Sequence, residues 1–244
     1  MMDLPEPTPL HCRPAAFAAL AQQIDALDTT RGLLRCALAV SMHELAELDA
    51  DEVEEQIDAL AGTITDRLRS REPRALLAHT HAVLFDEARF TGNRDDYYHP
   101  DNSYVSRVLE TRRGSPITLT LIYKCVLESV GVKVLGINAP GHFLAGVSDG
   151  SLTAYQVSGP RPSTPILIDV FFAGRILTRQ EAFNRIEEIA GGAVAHNEAL
   201  LRPATHAQWL TRIIQNLVTA FERLKQPHDR AAMLELRALV ESVV

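Results

Sequence analysis

The sequence predicts an α+β protein. Its parts are a helical N-terminal part, a core in which a buried helix packs on a small antiparallel sheet, and a C-terminal helical hairpin. Three observations predict this. Apolar residues recur at helical spacing through most of the first 85 residues. A strongly apolar helix after Ser115-Pro116 is followed at once by short apolar runs separated by Gly, Pro and Asn. Helical periodicity then returns beyond Gly191-Gly192, interrupted at Gln226-Pro227. The boundaries expected are 1–85, 86–190 and 191–244, joined as one integrated unit.

Composition narrows the function before any motif does. Hydrophobic residues make up 46% and charged residues 23% of the 244 positions, the balance of a globular protein with a sizeable core. Twenty-four basic against 31 acidic residues leave a formal charge of -7, which disfavours nonspecific binding to nucleic acid or anionic lipid. Arg107, Arg112 and Arg113 are the candidates for a local basic patch. Cys12, Cys36 and Cys125 are too few and too scattered for a disulfide framework or a zinc site, and suit a reducing cytoplasm. The acidic, proline-containing N-terminus does not read as a signal peptide, and no apolar run has the length of a membrane span.

In chain order, residues 1–13 read as a loose tail. A helix is expected over 15–27, with Phe17, Leu20, Ala21 and Ile24 on one face, and a second over 30–45. A third starts at Asp51 and carries Val53, Ile57, Leu60, Ile64 and Leu68; Asp49 or Asp51 supplies its N-cap. A fourth covers 73–85. His43, His79 and His81 lie in this part and read as surface or packing histidines. Residues 90–100, rich in Gly, Asn, Asp and Tyr, read as loop. Asp101 or Ser103 can cap a short helix over 104–112, which Gly114 should stop.

The next helix is the most sharply marked. Ser115 stands at the N-cap and Pro116 at the first helical position, where a missing N–H costs nothing. Ile117, Leu119, Leu121, Ile122, Val126, Leu127 and Val130 surround it with apolar surface until Gly131, so it should be buried. Strands are expected over 132–137, 143–147, 152–157 and 166–169, with a turn at 158–163. Thr178, with Glu181 three residues on, forms a capping box for a helix to Ala190. Two further helices, 206–224 and 229–243, look like one tetratricopeptide-type hairpin, a packing or docking element.

The chemistry-bearing residues fall between Tyr97 and Asp169. A nucleophile at the start of a buried helix gains from the helix dipole and from free N–H groups. A His on a neighbouring strand can take its proton, and an Asp on the next strand fixes the tautomer. His142, after Pro140-Gly141, and Asp169, ending its strand, fit the last two roles. The helix start, Gly114-Ser115-Pro116, has no cysteine. Cys125 lies roughly 13 Å further along the helix and reads as a small apolar core residue. Ser115 is either an N-cap or the nucleophile of a Ser-His-Asp site. His142 either serves such a site or merely ties two strands together through Asp169. His99, His142 and Asp169 could in principle hold a metal but have no ligand spacing, so no metal or cofactor is expected.

These residues resemble the SirB-one family of bacterial proteins, which carries a transglutaminase-like, papain-related core. The likeness rests on Gly92-Asn93, Asp96-Tyr97-Tyr98, Pro100-Asp101-Asn102-Ser103-Tyr104, Arg112 through Leu119, Pro140-Gly141-His142-Phe143-Leu144, Ile168-Asp169 and Gly174-Arg175. Val170 departs from it, standing where the family has Pro. The family shares the missing cysteine at the helix start. The resemblance implies a transglutaminase-like fold with a remnant His142–Asp169 pair; it does not imply cross-linking. The expected function is a non-catalytic, regulatory, cytoplasmic protein that binds a protein or peptide. Its groove is expected to be lined by His142, Tyr97, Tyr98, Asn102 and the start of the Pro116 helix, with Arg113 beside them. A hydrolase or acyl transferase using Ser115, His142 and Asp169 is the rival reading, and a helical adaptor acting through the C-terminal hairpin the third.

Overall fold

The computed structural model describes residues 8–69, 73–147 and 165–243. In chain order, α1 is Pro14–Gln23, α2 Thr30–Ser41, α3 Ala50–Arg67 and α4 Pro73–His81. A π-type turn, Ala82–Glu87, prolongs α4. The short strand β1 is Thr91–Gly92, α5 is Val105–Thr111, β2 is Arg113–Gly114 and α6 is Pro116–Ser129. Next come β3, Val134–Ile137, β4, Leu144–Val147, β5, Ile166–Asp169, and β6, Arg175–Leu177. The chain ends in α7, Arg179–Ala190, α8, His206–Arg223, and α9, Pro227–Glu241. The α+β class read from the sequence is the class observed. The strand expected over 152–157 and the turn over 158–163 lie outside the described residues.

Contacts divide the described residues into two units. One contains residues up to Leu48, Tyr98–Pro100 and those from His206 onward; the other contains Asp49–Tyr97 and Asp101–Thr205. In the first, α1, α2, α8 and α9 pack together around Leu20, Leu33, Trp209, Leu217 and Met233, each fully buried. Glu235 of α9 accepts hydrogen bonds from the consecutive main-chain N–H groups of Leu10, His11 and Cys12. These donors hold its carboxylate below the ordinary range against the opposing effect of burial.

The second unit carries the site. Its sheet has the order β3-β4-β5-β6, antiparallel throughout, with Ala145 opposite Ile168 and Asp169 opposite Arg175. All four residues of β4 are buried, as in a strand covered on both faces. Helix α6 contacts β3 and β4. Leu144, Leu167 and Leu177 pack with Ala182, Phe183 and Ile186 of α7. Period-two alternation sets Asp169 on the face of Leu167, the one α7 covers. In α6 every residue from Pro116 to Leu127 is buried. Each large aliphatic side chain so buried contributes about 1.5–3 kcal/mol.

Several boundaries differ from the sequence reading, each for a local reason. Helix α5 is capped by neither Asp101 nor Ser103, because Pro100–Ser103 is itself a 3-10 turn and Tyr104 takes the cap position without a side-chain bond. The helix stops at Arg112, which is left-handed at φ 60°, before Gly114 is reached. Gly114 instead pairs with Gly92 in the parallel bridge β1–β2, an element periodicity could not announce at two residues long. The fourth helix widens after His81, which turns Phe85 toward Gly174.

Gly174 has φ +72°, and a Cβ there would lie 2.1 Å from the Phe85 ring. Gly174→Ala is therefore expected to lower the unfolding free energy by about 2 kcal/mol, from left-handed strain and overpacking together. Urea denaturation at pH 7 measures it, and Phe85→Leu should relieve part of the loss.

Candidate functional site

The site is assembled where the β3–β4 turn, the end of β5 and α7 meet. His142 precedes β4 by two residues rather than lying on the strand, and its N–H donates to Ala139 O at 3.1 Å. The turn needs Gly141, whose φ is +70° and whose missing Cβ leaves room for Ile189 of α7. The His142 ring is buried, at 3% exposure, and its Nε2 lies 2.9 Å from Asp169 Oδ1. Asp169 is wholly buried. Its other oxygen, Oδ2, makes no hydrogen bond and lies 3.5 Å from Arg185 Nε. Phe171 meets the imidazole edge to face at 6.0 Å between centroids, and Phe172 lies 6.3 Å away. Tyr97 packs on Phe171 in turn, at 5.9 Å.

The start of α6 is built differently from a nucleophile site. Ser115 accepts at Oγ from the Thr118 N–H, and the same atom lies 2.9 Å from Thr118 Oγ1. The hydroxyl is turned onto its own helix, as an N-cap. Cys125 is buried nine positions further along α6 and its thiol is pushed up to about 12 by burial. Burial also pushes Cys12 and Cys36, of the other unit, to about 12. Thiols that stay protonated at neutral pH are poor nucleophiles.

Asn102 is fully committed to the loop that carries Tyr97. Its amide donates to Asp96 O at 2.7 Å and Tyr97 O at 3.0 Å, and its Oδ1 accepts from Asn93 Nδ2. Its main-chain oxygen accepts from the Ser115 N–H. Asn102 thus ties the loop to the start of α6. Arg113 is exposed and paired with Asp95 at 2.7 Å. Tyr98 belongs to the other unit, where the Arg223 guanidinium stands 3.6 Å over its ring. His99 belongs to that unit as well.

The sequence reading missed Arg185, Ile189, Phe171 and Phe172. The first two are spaced i, i+4, so a helix places them on one face. That spacing was visible in the capping-box helix but is common in any exposed helix.

Among the described residues, one group could bring three metal-ligand atoms together: His43, His228 and Asp229, in the first unit. Its hydrogen bonds speak against ligation. The Arg13 N–H donates to His43 Nδ1 at 3.2 Å, so that nitrogen is bare and the proton sits on Nε2, facing Asp229 Oδ1 at 3.2 Å. A metal on Nε2 would require the proton on Nδ1, against another donor. His43 reads as a tie between the chain before α1 and the start of α9.

Residues 51–215 match the family model described as transglutaminase-like superfamily. A "UPF0162 protein" of Xylella fastidiosa (strain 9a5c) is 33% identical over 222 residues, covering 87% of this chain and 72% of that protein. "F-box only protein 21" of Homo sapiens is 28% identical over 204 residues, covering 73% of this chain and 30% of that protein. No solved structure matches.

Proposed function

The chain belongs to the transglutaminase-like superfamily, and on that premise we propose that it is a member without a nucleophile, which binds a protein or peptide beside His142 instead of transferring an acyl group. One observation carries the reading: the hydroxyl at the N-cap of α6, that of Ser115, is spent on capping its own helix. The half-exposed Tyr97 ring beside Phe171, and the ordered loop behind it, support a surface made for contact. We further assign the chain to the SirB-one family, with α8 and α9 as a tetratricopeptide-type hairpin and a regulatory role. Three unpaired, buried cysteines support a reducing compartment such as the cytoplasm. No helix among the described residues is long and apolar enough to cross a membrane.

A Ser-His-Asp hydrolase is the second reading, favoured by the 2.9 Å His142–Asp169 contact, the geometry a general base needs. One experiment separates the two. Under the binding reading a serine-directed fluorophosphonate leaves the full chain unlabelled, and Ser115→Ala costs about 1 kcal/mol of stability through the lost cap and nothing else. A screen of fluorescent peptides should then yield binding that His142→Ala abolishes and Ser115→Ala retains. Labelling that disappears in both Ser115→Ala and His142→Ala overturns the binding reading in favour of the hydrolase.

A further inference from the structure

We infer that Arg185 is the positioning residue of the His142–Asp169 pair, and that it makes Nδ1 of His142 the hydrogen-bond acceptor this site offers its ligand. The part concerning a ligand rests on the binding reading above; the part concerning Arg185 does not.

The carboxylate of Asp169 lies between two cationic or potentially cationic groups. Oδ1 faces His142 Nε2 at 2.9 Å and Oδ2 faces Arg185 Nε at 3.5 Å. The second separation is too long for a hydrogen bond and short enough for a strong charge interaction. Arg185 is held in place from elsewhere. Its Nη1 donates to Glu188 at 2.7 Å, and its guanidinium carbon stands 4.0 Å over the Phe172 ring. One turn on, Ile189 occupies the space that Gly141 leaves beside the His142 turn. A single helix, α7, therefore braces both members of the pair, one through charge and one through packing.

The consequence is a fixed tautomer. A guanidinium stays charged and favours the ionised form of a neighbouring carboxylate. An ionised carboxylate can only accept, so the shared proton belongs to His142 Nε2. The other nitrogen, Nδ1, then carries a lone pair, and none of the described residues is hydrogen-bonded to it. The ligand that completes it brings a donor: a main-chain amide, a side-chain amide or hydroxyl, or an ammonium group of a peptide. A carboxylate or phosphate has no proton to offer there. Among the described residues, the charged groups in contact with the ring or its partners are Asp169 from β5, Arg185 of α7 beside Asp169, Glu188 beside Arg185, and Arg94, which stands 5.5 Å over Phe172.

The test is nitrogen-15 magnetic resonance of the full chain labelled at histidine, with His142→Ala to identify the ring. In its neutral form the wild-type ring should carry its proton on Nε2 alone. Arg185→Met should let part of the population carry the proton on Nδ1, since nothing then holds the Asp169 carboxylate in place from its far side. Asp169→Asn should loosen the tautomer further, and Arg185→Lys should recover part of the wild-type behaviour. Acetamide and acetate, equal in shape, then probe Nδ1. Acetamide should shift its signal and acetate should not. Arg185→Met with wild-type His142 behaviour, or Arg185→Lys with none of it, overturns the role of Arg185. A shift by acetate, or by neither probe, overturns the donor assignment. Fluorophosphonate labelling would end the binding reading and leave the arginine result standing.

Discussion

Asp169→Ala is expected to lower the unfolding free energy by about 3 kcal/mol, the low end of what breaking a buried ion pair costs. The magnitude follows from what is left behind. Removing the carboxylate strands a buried imidazole without an acceptor at Nε2, and leaves a guanidinium held over Phe172 with no anion at Nε. Asp169→Asn keeps an acceptor oxygen and the side-chain volume while losing the charge. Its loss should be smaller, about 1–2 kcal/mol. His142→Ala in the Asp169→Ala background should add little, because the two residues share one interaction and their effects are not additive. Urea denaturation of the four proteins at pH 7 gives the cycle. A fall of under 1 kcal/mol in Asp169→Ala would mean that the pair is not the buried junction described.

The legible part of this molecule was the part written in local chemistry. Ser115-Pro116 announced the start of α6, Thr178 and Glu181 announced α7, and both helices begin there through the capping bonds expected. His142 and Asp169 stood out by their order after the buried helix, while the 2.9 Å contact between them could not be read from the sequence. What the sequence could not show was which helix would brace them. Arg185 reads as an ordinary exposed helix arginine, and only the register of β5 against β6, with α7 packed on the Leu167 face, brings it to Asp169. Asn102 illustrates the converse. It stood out as a groove residue, and its amide is consumed by the loop it organises. Periodicity also failed over two-residue strands, where β1 and β2 pair through main-chain groups that no side-chain pattern records.

Acid should destabilise the protein through His81, well away in sequence from the His142–Asp169 pair. His81 Nε2 lies 2.9 Å from the Tyr123 hydroxyl, and both rings pack with Phe85. Burial lowers the His81 imidazole from 6.5 to about 4, while Asp86 opposes the shift. The folded protein therefore keeps this ring neutral in a range where the unfolded chain binds a proton. Stability rises with pH wherever the unfolded state holds more protons. The contribution of His81 is thus fully present above 6.5 and falls as the pH drops toward 4. At about 1.4 kcal/mol per pH unit, the loss across that window is up to about 3 kcal/mol. Below about 4 the folded ring also takes a proton, and this contribution stops changing. His81→Gln removes the titration and retains a polar group able to reach Tyr123. Its stability at pH 7 should be lower than that of the wild type, and its loss between pH 6.5 and 4.5 should be shallower by about 2 kcal/mol. Urea melts at three pH values measure both slopes. Parallel curves for the two proteins would mean that His81 takes up its proton in the folded state, and that Tyr123 and Phe85 do not seal it from water.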